Sequence, residues 1–136
     1  MKPDEKDRKI LGLLKKNSRM TNTDIAKKVK LTEGAVRNRI EKLVREKTIK
    51  KFTVELAEGE QYAVVLATAG KDTKKMMKEI AKSGIPEESY EISGDYDGCL
   101  IIEGYSIKEI DRKIDRIRKI KDVKETKTLI ALRRWG

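Results

Sequence analysis

The chain has 136 residues, one domain's length or two very small ones, and 41% of them are charged against a usual share of roughly 25%. Its 33 Lys and Arg against 23 Asp and Glu give a formal net charge of +10, yet the apolar residues fall in periodic blocks, which argues against disorder. No apolar run approaches the roughly 18 residues of a membrane span, and no leader-like stretch follows Met1. With no histidine and the single Cys99, an internal disulfide and the usual zinc spacings are absent. The expectation is a soluble, cytoplasmic protein with no membrane contact, metal or cofactor.

The charge is unevenly placed. Residues 1–55 carry 17 Lys and Arg against 8 Asp and Glu, a net of +9, and residues 56–136 carry 16 against 15, a net of +1. A basic segment beside a neutral one is the footprint of a nucleic-acid-binding module joined to something else. A solvated, lysine-rich surface of a heat-adapted protein would explain the charged content but not the asymmetry.

Asp4 to Lys16 is predicted as a helix, with acidic residues in its first turn and Ile10, Leu11 and Leu14 on one face. Asn17-Ser18-Arg19 breaks it, and Thr21 caps a short second helix that buries Ile25, Ala26 and Val29. After the turn Lys30-Leu31-Thr32, Thr32 caps a third helix from Glu33 to about Glu46, with Val36, Ile40 and Leu43 on one side. Two short helices joined by a tight turn describe a helix-turn-helix, whose second helix meets base edges through its first turns. That surface is Thr32, Glu33, Gly34, Arg37 and Asn38. Arginine reads guanine bidentately and asparagine reads adenine, while Gly34 allows close backbone approach. Arg39, Lys42, Lys50 and Lys51 are placed as phosphate contacts. Ile49 to Glu55 alternates enough to form a strand, a wing beside the third helix.

Residues 56–61 are linker-like. The predicted order after them is strand Tyr62–Ala69, helix Thr73–Lys82 with Met76, Met77, Ile80 and Ala81 inward, and a short strand Tyr90–Ser93. A turn at Gly94–Gly98 leads to strand Cys99–Glu103. The capping box Ser106-Ile107-Lys108-Glu109 opens a helix with Ile107, Ile110, Ile114 and Ile117 on one face, and strand Val123–Leu132 closes the chain. This β-α-β-β-α-β order is the ferredoxin-like unit. Two helices cover one sheet face, so the other needs a cover, and pairing with a second copy is the simplest one. The fold class is therefore α+β: a winged helix-turn-helix over 1–55, and a ferredoxin-like domain over 62–136.

Both halves in this order resemble archaeal members of the Lrp/AsnC (leucine-responsive regulatory protein, or feast/famine) family of transcription regulators. The matching stretches are Asp7–Leu11, Ile25–Val29, Leu31–Ile40, Ile49–Thr53 and Ser93–Asp97 with the strand after it. The resemblance implies a sequence-specific DNA-binding regulator whose C-terminal (RAM) domain dimerises, often builds octamers, and binds an amino acid beside the Gly-Asp-Tyr-Asp loop. Two departures stand out. Lys47 occupies the place where the family usually has glycine, and the connection at 55–61 is short.

The effector candidates are Gly94, Asp95, Tyr96 and Asp97 of that loop, with Asp111, Asp115, Thr126 and Thr128. A free amino acid needs an acceptor for its ammonium, which Asp97 or Asp95 supplies, and donors for its carboxylate, which turn N–H groups supply. Asp111 and Asp115 stand one helical turn apart and would favour a basic amino acid, unless Arg112, Lys119 or Arg118 neutralises them. Read without the resemblance, the loop is an ordinary hairpin turn. An enzyme finds no support: there is no reactive-cysteine constellation, Gly-rich phosphate loop or metal spacing. A DNA-coating protein without effector is the alternative to a regulator.

Overall fold

A computed structural model of the chain describes residues 2–57 and 60–136. Glu58 and Gly59 of the expected linker lie outside the described residues. The chain divides into two compact units, Met1–Glu55 and Leu56–Gly136.

The first unit has three helices, α1 (Glu5–Lys16), α2 (Asn22–Val29) and α3 (Glu33–Arg45). Each begins on a side-chain acceptor. Asp4 accepts the Asp7 N–H at 2.8 Å while Asp7 accepts the Asp4 N–H at 3.1 Å, and Thr21 and Thr32 cap α2 and α3. Asp4 is thus the cap of α1, not its first residue. Ile10, Leu14, Ile25, Ala26, Val29 and Val36 form the core, as the helical periodicity predicts, except that Leu13 and not Leu11 packs against it from α1. Lys6 reaches from α1 to the Val29 carbonyl and so satisfies the end of α2.

Two lysines hold left-handed backbone, Lys30 at φ 58° and Lys47 at φ 61°. Lys47 closes α3 in the conformation glycine adopts without penalty, its N–H donating to the Val44 carbonyl at 3.0 Å. The expected wing strand at Ile49–Glu55 does not form. Residues 50–56 carry no strand and are exposed. A strand needs a partner to take up its N–H and C=O groups, and alternation alone does not provide one.

The second unit contains β1 (Gln61–Ala69), α4 (Thr73–Ser83), β2 (Glu88–Glu91), β3 (Gly98–Gly104), α5 (Ile107–Arg118) and β4 (Val123–Ile130). The four strands form one antiparallel sheet in the order β2-β3-β1-β4, the ferredoxin-like arrangement. Ala63, Val65, Ala67, Leu100 and Ile102 face the helices and pack against Met76, Ile80, Ile110, Ile114 and Ile117.

Three expectations change here. Ala81 is exposed, and buried Ile85 joins the core after the chain turns at left-handed Gly84. Ile107 is half exposed because it belongs to the capping turn, ahead of the packed stripe that starts at Ile110. β2 lies two residues earlier than predicted because its position is set by pairing, Glu88 with Ile101 and Tyr90 with Cys99. The other sheet face carries Val64, Leu66, Cys99 and Ile101, all partly exposed, with Leu129 46% and Tyr90 52% exposed. Leu129, Val64 and Ile101 lie side by side across three strands.

Candidate nucleic-acid interface and effector loop

The Thr32 hydroxyl accepts the Ala35 N–H at 3.1 Å and fixes where α3 begins. One turn on, Arg37 Nη1 donates to both carboxylate oxygens of Glu33 at 3.0 Å. This pair is open to solvent, Arg37 being 52% and Glu33 43% exposed. At about 100° per residue, Gly34, Arg37, Asn38, Glu41 and Arg45 share the arc opposite Val36 and Leu43. All but the half-buried Gly34 are exposed. A Cβ built on Gly34 would meet only Arg37 Nη2 within 4 Å, at 3.7 Å, so packing does not demand glycine there. Lys50 and Lys51 are exposed on the segment after the helix.

Arg39 meets the expectation of a phosphate contact differently. Its Nη1 donates to the two oxygens of Asp4 at 2.8 and 2.7 Å and to Asp7 Oδ1 at 3.0 Å. The Arg39 guanidinium, ahead of the Asp7 N–H, holds the Asp4 carboxyl below its ordinary value, and the two acids raise Arg39 in return. Asp4, Asp7, Asn38, Arg39 and Lys42 line a cleft of about 350 Å³ between the start of α1 and α3.

In the second unit the loop between β2 and β3 is tied down through Asp97. Its N–H donates to the Ala67 carbonyl at 2.9 Å, its carbonyl accepts the Ile92 N–H at 2.9 Å, and its Oδ2 accepts the Ala69 N–H at 2.8 Å. Gly94 takes φ 122°, a conformation that L side chains rarely adopt. Asp95 is exposed and Tyr96 half-buried. Thr126 pairs with Ala67, which pairs with Gly98, so Thr126 stands two strand spacings, about 10 Å, from the end of the loop.

Thr126 and Thr128 share the helix-facing side of the sheet with Ala67 and Val65. Thr126 Oγ1 accepts from Arg118 Nε at 3.1 Å, and Arg118 Nη1 donates to Asp115 at 3.2 Å. Asp115 is therefore neutralised by Arg118, the ordinary outcome for a solvated helix face, and does not form a bare pair with Asp111. Asp111 is exposed and has no ion pair among the described residues. Thr128 Oγ1 is buried with no hydrogen-bond partner among the described residues.

A group missed in the sequence lies at the far end of the sheet. Burial, a hydrogen bond with Glu60, and the charges of Glu60 and Glu87 raise the Glu103 carboxyl from 4.5 to about 7, against the opposing effect of Lys113. Strand alternation places Glu103 on the face opposite Leu100 and Ile102, but only the pairing of strands brings Glu60 and Glu87 to it.

Comparison with known proteins accounts for both units. The AsnC-type helix-turn-helix domain matches residues 4–44, and the Lrp/AsnC ligand binding domain matches residues 63–135. The HTH-type transcriptional regulator LysM of Saccharolobus solfataricus is 47% identical over 135 residues, covering 97% of this chain and 95% of that protein. The LysM of Sulfurisphaera tokodaii is 42% identical over 135 residues, covering 97% and 96%. Among solved structures, B. subtilis LrpC superposes with a TM-score of 0.72 at 25% identity, covering 100% of this chain and 99% of that one. E. coli AsnC shares the fold at a TM-score of 0.70 and 22% identity, covering 98% and 95%. With both of its units matched and close relatives along nearly its whole length, this chain belongs to the Lrp/AsnC family of transcriptional regulators.

Proposed function

We propose that α3 reads DNA sequence through Thr32, Glu33, Gly34, Arg37 and Asn38, that Lys42, Lys50 and Lys51 hold phosphates, and that a free amino acid is the effector. The protein is a DNA-binding transcription regulator with a ligand-binding domain, and its family is not one of enzymes. The observation that carries the reading is the exposed Arg37–Glu33 pair beside a glycine that packing does not require. The two side chains offer a donor fork for guanine and an acceptor for the cytosine amino group.

Selection of duplexes from a random pool tests this directly. Enrichment of a pseudo-palindromic site is expected, with Arg37→Ala relaxing base preference and Lys51→Ala weakening all sequences alike. Equal losses for both variants on every sequence would refute the roles. Uniform retention of the pool would favour a DNA-coating protein.

The effector is placed at the loop 94–98, where Asp95 or the second oxygen of Asp97 takes the ammonium and turn N–H groups take the carboxylate. Thr126 and Thr128 stand on the helix-facing side of the sheet, Thr126 taken by Arg118 and Thr128 Oγ1 buried, so neither is kept in this effector site. Asp111 is the carboxylate left for a basic side chain, since Asp115 is occupied by Arg118. Calorimetry across amino acids decides between classes: neutral ligands binding while lysine and arginine do not would exclude a basic effector.

The regulator works in the cytoplasm as a homodimer, whose partner covers the apolar face around Val64, Leu66, Ile101 and Leu129. Octamers of such dimers are the larger assembly the family resemblance implies. Sedimentation of Leu129→Arg should show a smaller species than the unaltered chain; an unchanged mass would remove this face from the interface.

A further inference from the structure

We propose that Arg39 is a positioning residue, clamping α3 to the first turn of α1 through Asp4 and Asp7 and leaving the phosphates to other cations. The inference rests on the reading of α3 as the DNA-reading helix. Its geometry is specific: one guanidinium nitrogen lies 2.7–3.0 Å from three carboxylate oxygens of residues 32 and 35 positions away. The two acids are held side by side by their own reciprocal cap on α1, so the clamp grips a fixed point and not a flexible pair. Arg39 is also less exposed, at 31%, than Arg37 at 52%. It lies about 60° around the helix from buried Val36, on the flank and not on the outer arc.

Electrostatics opposes a second role. A guanidinium that swung to a phosphate would leave two adjacent carboxylates uncompensated beside a polyanion. DNA approach therefore tightens the reason for the pairing. All three contacts converge on Nη1, and the stiff, planar guanidinium holds that nitrogen at a reach from α3 that a flexible lysine stem does not fix. What the clamp sets is the pose of α3, and through it the reach of Arg37 and Asn38, its neighbours two and one positions earlier.

The test uses the full-length chain with Arg39→Gln, Arg39→Lys and the double variant Asp4→Asn/Asp7→Asn. Asparagine caps helices as well as aspartate, so the double variant removes charge and keeps the cap. Far-UV circular dichroism verifies folding. Binding is measured against salt on a duplex enriched by the unaltered chain and on a mixed-sequence duplex.

A positioning role predicts that Arg39→Gln and the double variant both lose affinity for the enriched duplex, by about fivefold, as a network of ion pairs near the surface supports. The slope of log affinity on log salt stays unchanged, and Arg39→Lys restores little. A phosphate contact predicts the reverse. Arg39→Gln would lower the slope by about one, and the double variant, which frees Arg39 and removes two negative charges, would bind more tightly. Either result overturns the proposal. Failure to enrich any duplex would refute the reading of α3 instead, and the salt slopes on mixed-sequence DNA would still decide the role of Arg39.

Discussion

Two glycines inside helices offer a controlled comparison. Gly12 sits in α1 and Gly34 in the first turn of α3, and neither has a left-handed backbone. A Cβ at Gly12 would meet nothing within 4 Å, and one at Gly34 would meet the flexible Arg37 Nη2 at an ordinary 3.7 Å. Alanine is therefore accepted at both without strain. Glycine costs about 0.8–1.0 kcal/mol against alanine within a helix, so Gly12→Ala should stabilise the unit by about 1 kcal/mol. The gain at Gly34 is smaller, about 0.5 kcal/mol, because first-turn residues make fewer intrahelical bonds.

On DNA the two should part. On the proposed reading a methyl group on the arc shared by Arg37 and Asn38 has to fit against a base edge or sugar, and forcing one into a packed contact costs about 1–3 kcal/mol, roughly fivefold to a hundredfold in affinity. Gly12→Ala should leave affinity unchanged. Urea denaturation gives the stabilities and fluorescence anisotropy on the enriched duplex gives the affinities. Gly34→Ala binding as tightly as the unaltered chain would refute close approach of the helix backbone to DNA. A loss of stability at Gly34 would refute the packing on which the comparison stands.

Lys47→Gly relieves a left-handed residue and should raise stability by about 1 kcal/mol, seen in urea denaturation, without altering DNA affinity. Gly94→Ala meets no steric neighbour, so its effect is backbone strain of about 1–3 kcal/mol; it should lower the melting temperature and weaken effector binding measured by calorimetry. Glu103→Gln tests the raised carboxyl. The folded chain keeps a proton there up to about pH 7 that the unfolded chain releases near 4.5, so stability falls as pH rises across that window and is level above it. The variant should melt higher than the unaltered chain at pH 8 and lose that advantage at pH 4; a difference independent of pH would refute the assignment.

Local signals were legible wherever a short stretch of chain decides the outcome. The caps Thr21, Thr32 and Ser106 and the apolar stripes Ile25–Val29 and Ile110–Ile117 depend on spacing of three or four residues, and they stand where spacing puts them. The misses involve partners far along the chain. Ile49–Glu55 alternates like a strand yet joins no ladder among the described residues, and β2 is positioned by β3, not by its own composition. The site shows the same division. Glu33 and Arg37 lie four apart and their pairing follows from the helix, whereas Arg39 with Asp4 and Arg118 with Thr126 join separate elements that no local pattern connects.

The charge that marks the helical unit overstates the number of phosphates it can hold. Exposed pairs such as Lys9 with Glu5, 3.6 Å apart, are worth about 0–1 kcal/mol and exchange easily for phosphate. Arg39 does not belong with them, because its two acids are fixed by a helix cap and remain behind if it leaves. On the proposed reading Arg37 is intermediate: it would give up Glu33 only where a base edge replaces both partners, and a wrong base would leave the Glu33 carboxylate facing DNA unpaired. A cation paired in this way contributes to discrimination more than to affinity. The salt dependence of binding should consequently report fewer contacts than the 17 Lys and Arg of residues 1–55 suggest, and the proposed roles of Arg37 and Arg39 put both among the cations that do not count.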